Sequence, residues 1–162
     1  MVRWFIKSAL AYLAAGFLIG GAMLAYKALA ARAVPAQWVA IHVHALLVGF
    51  MVQLVIGVAY WMFPRVKGHW YGEGWAGVTW GLLNVGLLLR FLGEPYLFGP
   101  WRYWAAPVVF ISALLQVAAG VIFAAGMWAR VKGFLHQQAA TPAGASPTAA
   151  GSAGATRGKG ES

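Results

Sequence analysis

The sequence contains no cysteine and only three acidic residues among 162. The absence of cysteine excludes a disulfide framework, a thiolate metal site, an iron–sulfur cluster and a cysteine nucleophile. So few carboxylates exclude a hydrolase with paired carboxylates and an acidic cage for Ca²⁺ or Mg²⁺. Charged residues make up 9% of the chain, whereas soluble domains average about 25%. The chain is therefore too poor in charge for an ordinary soluble domain.

Apolar residues make up 62% of the sequence. They form four runs near 8–29, 36–63, 75–92 and 104–128, each long enough to cross a bilayer, which takes about 20 helical residues. The predicted fold is therefore all-α, an integral membrane four-helix bundle in residues 1–136. Residues 137–162 are rich in Ala, Gly, Ser, Thr and Pro without an apolar period, which is typical of a disordered low-complexity tail.

Lysine and arginine give the chain a net charge of +9. Binding of nucleic acid would need these cations on one face, but they are spread thinly at the ends of the apolar runs, as membrane-flanking charges are. The N-terminus, the second connection and the region after the last run hold Arg3, Lys7, Arg65, Lys67, Arg130 and Lys132. The other two connections hold Lys27, Arg32, Arg90 and Arg102. The positive-inside rule then predicts a multi-pass protein of the inner membrane with both termini in the cytoplasm.

The first apolar run has two interpretations. Arg3 and Lys7 precede it and small residues follow it near 28–31, as in a signal peptide. Its length exceeds the roughly 7–15 apolar residues of a signal-peptide core. We therefore expect a retained helix.

Small and polar residues within the runs predict how the helices pack. Small residues four positions apart let membrane helices approach closely, and such patterns occur at Gly16 and Gly20, at Gly77 and Gly81, and at Ser112, Gln116, Gly120 and Ala124. Three strongly polar side chains are expected to form interhelical hydrogen bonds rather than bind a substrate; they are Gln53, Asn84 and Gln116. A transporter is not favoured, because the runs show no charged pair, broken helix or internal repeat.

Two of the four histidines fall inside a predicted span. His69 lies in a connection and His136 at the start of the tail, so both are assigned no role. His42 and His44 lie in the first half of the second run, where an ionisable side chain is costly and indicates function. Two positions along a regular helix correspond to about 200° of rotation. The two imidazoles are therefore predicted to point to nearly opposite sides and to serve different sites.

The two faces of this predicted helix differ in character. Gly49, Gln53 and Tyr60 share the face of His42, which suits the interior of a bundle. The face of His44 is wholly apolar and carries Val48, Met51, Val55, Val58 and Met62. A lone imidazole on such a face needs a partner, which a cofactor, a second subunit or a position near the membrane surface would supply.

Imidazole in an apolar setting without cysteine or carboxylate fits haem, whose iron takes axial histidine. Arg32 and Arg102 are predicted at the same end of the bundle and could meet the haem propionates. Other metals and plain packing remain open alternatives for the two histidines. A copper or zinc site would have to be built between subunits, because zinc normally takes four ligands and the chain offers few.

Residues 42–65 resemble the tenth helix of the catalytic subunit of haem–copper oxidases, above all that of the cbb-type branch. The gapless matches are His42, Val43, His44, Gly49, Gly57, Tyr60, Trp61, Pro64 and Arg65. In that family the first histidine of the pair binds the high-spin haem and the second binds the low-spin haem. The resemblance thus implies these roles for His42 and His44, with haem b as cofactor, in a small relative of the last four helices of that subunit.

The departures from the family limit what one chain can do. The oxidase binds its copper with three further histidines and its low-spin haem with a second axial histidine, and no other predicted span here contains histidine. The isolated chain therefore lacks the ligands for an oxygen-reducing centre, and an enzymatic activity is not assigned. An electron-transfer module, a gas-binding module or a small respiratory subunit is favoured, in a homo-oligomer or with a respiratory-complex partner. The alternative is a haem-free structural or assembly subunit.

Overall fold

The computed structural model describes residues 2–63 and 73–140, with side chains described for 2–63 and 74–132. The described chain is helical almost throughout. It consists of α1 (Val2–Ala30), α2 (Ala36–His44), a π-helical segment (Ala45–Val52), α3 (Gln53–Met62), α4 (Glu73–Gly93), a short 3-10 turn (Glu94–Tyr96) and α5 (Arg102–Ala140). We call α2, the π-helical segment and α3 together the second rod.

Four of these helical stretches are long and apolar enough to cross a membrane: Val2–Ala30, Ala36–Met62, Gly74–Tyr96 and Arg102–Lys132. Each overlaps one of the four predicted runs. The predicted all-α, four-span architecture is therefore confirmed. The helix α5 extends to Ala140, past the predicted start of the tail at 137. Residues 141–162, with the rest of the predicted disordered tail, lie outside the described residues, as do His69, Pro64 and Arg65.

The distribution of burial is the reverse of that in a water-soluble protein. Gln53, Thr79 and Ser112 are fully buried, while Leu18 and Leu29 are 75% and 88% exposed. Polar groups inside and large apolar groups outside suit a hydrocarbon solvent, because lipid offers hydrogen-bonding groups no partner. This pattern and the four long helices suggest a multi-pass membrane protein.

The four spans form two antiparallel pairs. The first pair is α1 with the second rod, where the contacts run from Gly20 beside His42 down to Phe5 beside Tyr60. The second pair is α4 with α5, where Gly93 lies against Val109. A small apolar cluster joins the pairs and consists of Phe5, Ile56, Leu83 and Ala119. The connections 31–35 and 97–101 therefore lie at one end of the bundle, the end that also carries the histidines.

Arg130, predicted to be a membrane-flanking charge, is buried at the carboxyl end of α3. Only 7% of the surface of Arg130 is exposed. Its Nη1 donates to the carbonyl of Phe63, at 3.4 Å, and its guanidinium carbon lies 4.8 Å from the centroid of the Tyr60 ring. A cation suits this place because the carboxyl end of α3 carries unpaired carbonyls and partial negative charge. Arg130 therefore caps the second rod from the neighbouring α5.

Two glycines of the predicted small-residue stripes, Gly81 and Gly120, do not lie against a neighbouring helix. A Cβ added at Gly81 or Gly120 would meet no described atom within 4 Å. On α4 it is Gly86 that lies against α5, next to Gln116 and the carbonyl of Ser112. The α5 stripe therefore faces α4 at Ser112 and Gln116 but not at Gly120, because spacing along one helix does not show where a neighbouring helix crosses it.

Candidate functional site

His42 lies between α1 and the second rod, in contact with both glycines of the predicted pair on α1. Its Nδ1 is 3.0 Å from the carbonyl oxygen of Gly16. A Cβ on Gly20 would lie 2.7 Å from Cε1 of the imidazole. The absence of a side chain at Gly20 therefore makes the room in which the His42 ring lies. The prediction that Gly16 and Gly20 allow a close approach to α1 is therefore confirmed, and the side chain that approaches them is His42.

His44 is held differently, by its own helix. Its Nδ1 is 2.9 Å from the carbonyl oxygen of Ala40, one turn earlier. Carbonyl oxygens only accept hydrogen bonds, so each Nδ1 donates and the lone pair of the neutral ring lies on Nε2. Among the residues that the structure describes, neither Nε2 has a hydrogen-bond partner. Both imidazoles thus have Nδ1 bonded to the backbone, while Nε2 makes no hydrogen bond to a described residue; the His42 ring packs against Gly20, and neither histidine lines the cavities described below.

The second rod is not a regular α-helix, although the face predictions assumed one. Its hydrogen bonds change to the wider π pattern over Ala45–Val52, directly after His44. Such π-helical turns are rare and occur frequently at functional sites. The segment contains Gly49, which lies against Tyr12 so closely that a Cβ would be 2.6 Å from its Cγ. Nothing in the sequence pattern indicated this irregularity.

The residues predicted to share the His42 face nevertheless all lie against α1. Gly49 contacts Tyr12, and the Gln53 amide oxygen accepts a hydrogen bond from Ser8 Oγ at 2.5 Å. The Tyr60 ring packs against Phe5, with 5.8 Å between centroids. Its hydroxyl is buried and has no hydrogen-bond partner among the described residues. This face is therefore the interior face of the bundle.

A polar network crosses from the first pair of helices to the second. Gln53 Nε2 donates to Asn84 Oδ1 at 3.2 Å, and Asn84 Nδ2 donates to Gln53 Oε1 at 3.3 Å. Trp80 Nε1 donates to Ser8 Oγ at 3.1 Å. The expected interhelical hydrogen bonds of Gln53 and Asn84 are therefore present. The expectation for Gln116 is wrong, because its Nε2 donates to Ser112 on its own helix.

An apolar groove opens between the second rod and α5. It begins at Val48, one turn after His44, and has a volume of about 470 Å³. Its lining consists of Val48, Met51, Val52, Val55, Ile56, Leu83, Gln116, Val117, Gly120 and Phe123. We call this space the central groove. It contains three residues of the apolar face predicted for His44, so that face borders an open apolar space.

The cations predicted near the histidines lie at the correct end of the bundle. Arg32 follows α1 and Arg102 begins α5, and both residues are exposed. Neither has an ion-pair partner among the described side chains. Both are therefore free to meet an anionic group at this end, although the structure does not bring either into contact with His42 or His44.

The sequence pattern did not lead us to expect the buried ion pair between Arg90 and Glu94. Arg90, counted as a connection cation, lies within α4, and its Nη2 is 3.4 Å from Glu94 Oε2. The side chains are 18% and 7% exposed, so the third candidate span contains a charged pair, contrary to the prediction. The signal was present in the sequence, since residues four apart are neighbours on a helix. The predicted end of that run at 92 placed Glu94 outside it.

The described side chains contain no group of three His, Cys, Asp or Glu residues that could hold a metal ion. Comparison with protein-family models, with characterised proteins and with solved structures finds no match to this chain. The resemblance to the oxidase family accordingly depends on the sequence of residues 42–65 alone.

Proposed function

We propose that this chain is an integral membrane protein that binds haem b through His42 and His44. In this proposal it is a small relative of the catalytic subunit of haem–copper oxidases and works as an electron-transfer or gas-binding module or a small respiratory subunit. It belongs to the inner membrane, with both termini in the cytoplasm.

The observation that carries the proposal is the hydrogen bonding of the two imidazoles. Each Nδ1 is bonded to a backbone carbonyl, at 3.0 Å for His42 and 2.9 Å for His44. Histidines that bind a metal through one nitrogen commonly donate the other N–H to a carbonyl, which fixes the tautomer and the ring orientation. The structure thus supports Nε2 of each ring as an iron ligand.

The surroundings also suit haem. The central groove, which begins at Val48 one turn after His44, is lined by aliphatic side chains, one phenylalanine, one glycine and a single amide, and the haem macrocycle is stable between apolar walls. Arg32 and Arg102, exposed at the histidine end, would face the propionates. When bound, haem would supply one-electron redox chemistry or an open coordination position for a gas. The chain's own residues would hold the group, exclude water and fix the ligand tautomer.

Among the described side chains, His42 and His44 would each provide one axial ligand. A second axial histidine would come from another copy of this chain or from a respiratory partner. A copper or zinc site shared between subunits is less favoured, because the described side chains bring no three suitable ligands together.

The decisive measurement is an absorption spectrum of the detergent-purified protein, oxidised and reduced, after expression with ample haem. We expect a Soret band that decreases in His42→Ala and in His44→Ala. The expected loss in metal affinity is at least the 10- to 100-fold that removal of a supporting partner usually causes. His69→Ala and His136→Ala are matched controls, and both should retain the full band.

A haem-free structural or assembly subunit is the second candidate. It is favoured by the fact that each imidazole already makes a hydrogen bond within the chain, as a purely structural histidine would. Absence of a Soret band in the wild type, together with unchanged oligomeric state in both alanine variants, would select this candidate over the haem protein.

A further inference from the structure

The helices of the first pair enclose a second cavity, at the histidine end. The helix α1 contacts the second rod at Gly20 and His42, and the chain reverses after α1 at Ala31, which has a positive φ of 48°. Along α1 from Leu18 toward the reversal lies an open cavity of about 580 Å³. Its walls are Leu18, Ile19, Ala22, Met23, Tyr26, Val34, Pro35 and Trp38. We call this cavity the wedge.

The wedge is apolar at its base and aromatic at its mouth. Ile19 and Ala22 come from the middle of α1, whereas Tyr26 and Trp38 lie near the ends of α1 and α2. Tyrosine and tryptophan are enriched at the level of the lipid headgroups. The wedge therefore extends from the headgroup level into the hydrocarbon, as a lipid acyl chain does.

Two cations lie next to its mouth in the chain. Lys27 follows Tyr26, and Arg32 stands two residues before Val34. Both are exposed, and neither has an acidic partner among the described side chains. Glu94, the acidic residue described at this end, is buried and paired with Arg90. The chain around the mouth of the wedge is thus cationic, although neither cation lines the cavity itself, and exposed cations at this level favour an anionic headgroup over a zwitterionic one.

We propose that the wedge binds one anionic phospholipid, with an acyl chain between α1 and the second rod and the phosphate beside Lys27 and Arg32. The proposal requires that the chain lies in a bilayer, and it does not depend on haem. It differs from ordinary lipid contact because the wedge is a concave apolar surface with aromatic residues at one end and cations next to them in the chain.

The test uses phospholipids with brominated acyl chains, which quench nearby tryptophan fluorescence. The purified protein in detergent is titrated with brominated phosphatidylglycerol and, separately, with brominated phosphatidylcholine. The chain has nine tryptophans, so the Trp38 signal is obtained as the difference between wild type and Trp38→Phe. We expect the anionic lipid to quench Trp38 saturably at low molar ratios of lipid to protein. Trp61→Phe, which removes an exposed tryptophan of α3, should leave that component unchanged.

Two kinds of variant distinguish the contribution of the lipid headgroup from that of the lipid acyl chain. The double variant Lys27→Gln and Arg32→Gln should lower the affinity for the anionic lipid by about fivefold for each lost cation. Lys7→Gln, in the first part of α1, should leave that affinity unchanged. Ala22→Phe fills the wedge without adding a tryptophan and should abolish saturable quenching of Trp38 by either lipid. Equal affinity for the two lipids, unaffected by the double variant, would overturn the proposal and indicate unspecific lipid contact. The charge variants concern exposed side chains, so they remain informative even where Ala22→Phe does not fold.

Discussion

Replacing Gly20 by alanine is expected to displace the His42 imidazole. The new Cβ would lie 2.7 Å from Cε1 and 3.2 Å from Nδ1 of His42, closer than atoms pack without movement. The ring cannot withdraw freely, because its Nδ1 is bonded to the carbonyl of Gly16. Overpacking of this kind costs roughly 1–3 kcal/mol, and the better helix propensity of alanine offsets up to about 1 kcal/mol. We expect a lower free energy of unfolding and a haem spectrum that changes toward that of His42→Ala.

The neighbouring glycine provides a matched control. A Cβ at Gly21 would meet no described atom within 4 Å, so Gly21→Ala should leave the spectrum unchanged and stabilise the helix by up to about 1 kcal/mol. Detergent unfolding curves and absorption spectra of the two variants are the measurements. Identical behaviour of the two variants would show that Gly20 does not determine the position of His42. A stability loss in Gly20→Ala without a spectral change in haem-loaded protein would show that the ring packs there without binding haem.

Removing one member of the buried amide pair is expected to loosen the contact between the two helix pairs. Gln53 is fully buried, and it exchanges two hydrogen bonds with Asn84. Gln53→Leu leaves Asn84 Oδ1 without its donor in a medium that cannot replace it, whereas Asn84 Nδ2 keeps its hydrogen bond to the carbonyl of Trp80. An unsatisfied buried polar group costs about 1–3 kcal/mol, although hydrogen bonds between membrane helices often measure nearer 0.6 kcal/mol. We expect a loss of about 1–2 kcal/mol in reversible unfolding by SDS.

A double-mutant cycle checks the origin of that loss. Replacement of both Gln53 and Asn84 by leucine should cost less than the sum of the two single replacements, by at least about 0.5 kcal/mol, because no orphaned amide remains. Gln116→Leu is the control, since Gln116 bonds to Ser112 on its own helix and should contribute little between helices. Strictly additive losses at Gln53 and Asn84 would contradict a direct interaction between the two side chains.

The errors of the sequence-based predictions have specific physical reasons. Arg90 and Arg130 were taken as flanking charges because they stand near the ends of apolar runs, yet one pairs with Glu94 and the other caps α3. The partner of Arg130, the carbonyl of Phe63, is far away in the sequence, so no local pattern indicated it. The partner of Arg90, Glu94, was missed because the predicted span ended before it. With both arginines removed from the cation count, the difference between the two sides of the membrane is unchanged.

The sequence alone determined that this chain has four long apolar helices, because composition and run length set how much surface must avoid water. It also placed His42, Gly49, Gln53 and Tyr60 on one face, and the residues on α1 that contact them are small, aromatic or hydroxyl-bearing. Only the tertiary structure decided that Gly16 and Gly20 accommodate the His42 ring, that the second rod contains a π-helical segment, and that two grooves remain open. These features depend on the distance and crossing of helices far apart in the chain, and the periodicity of a single helix carries no information about either.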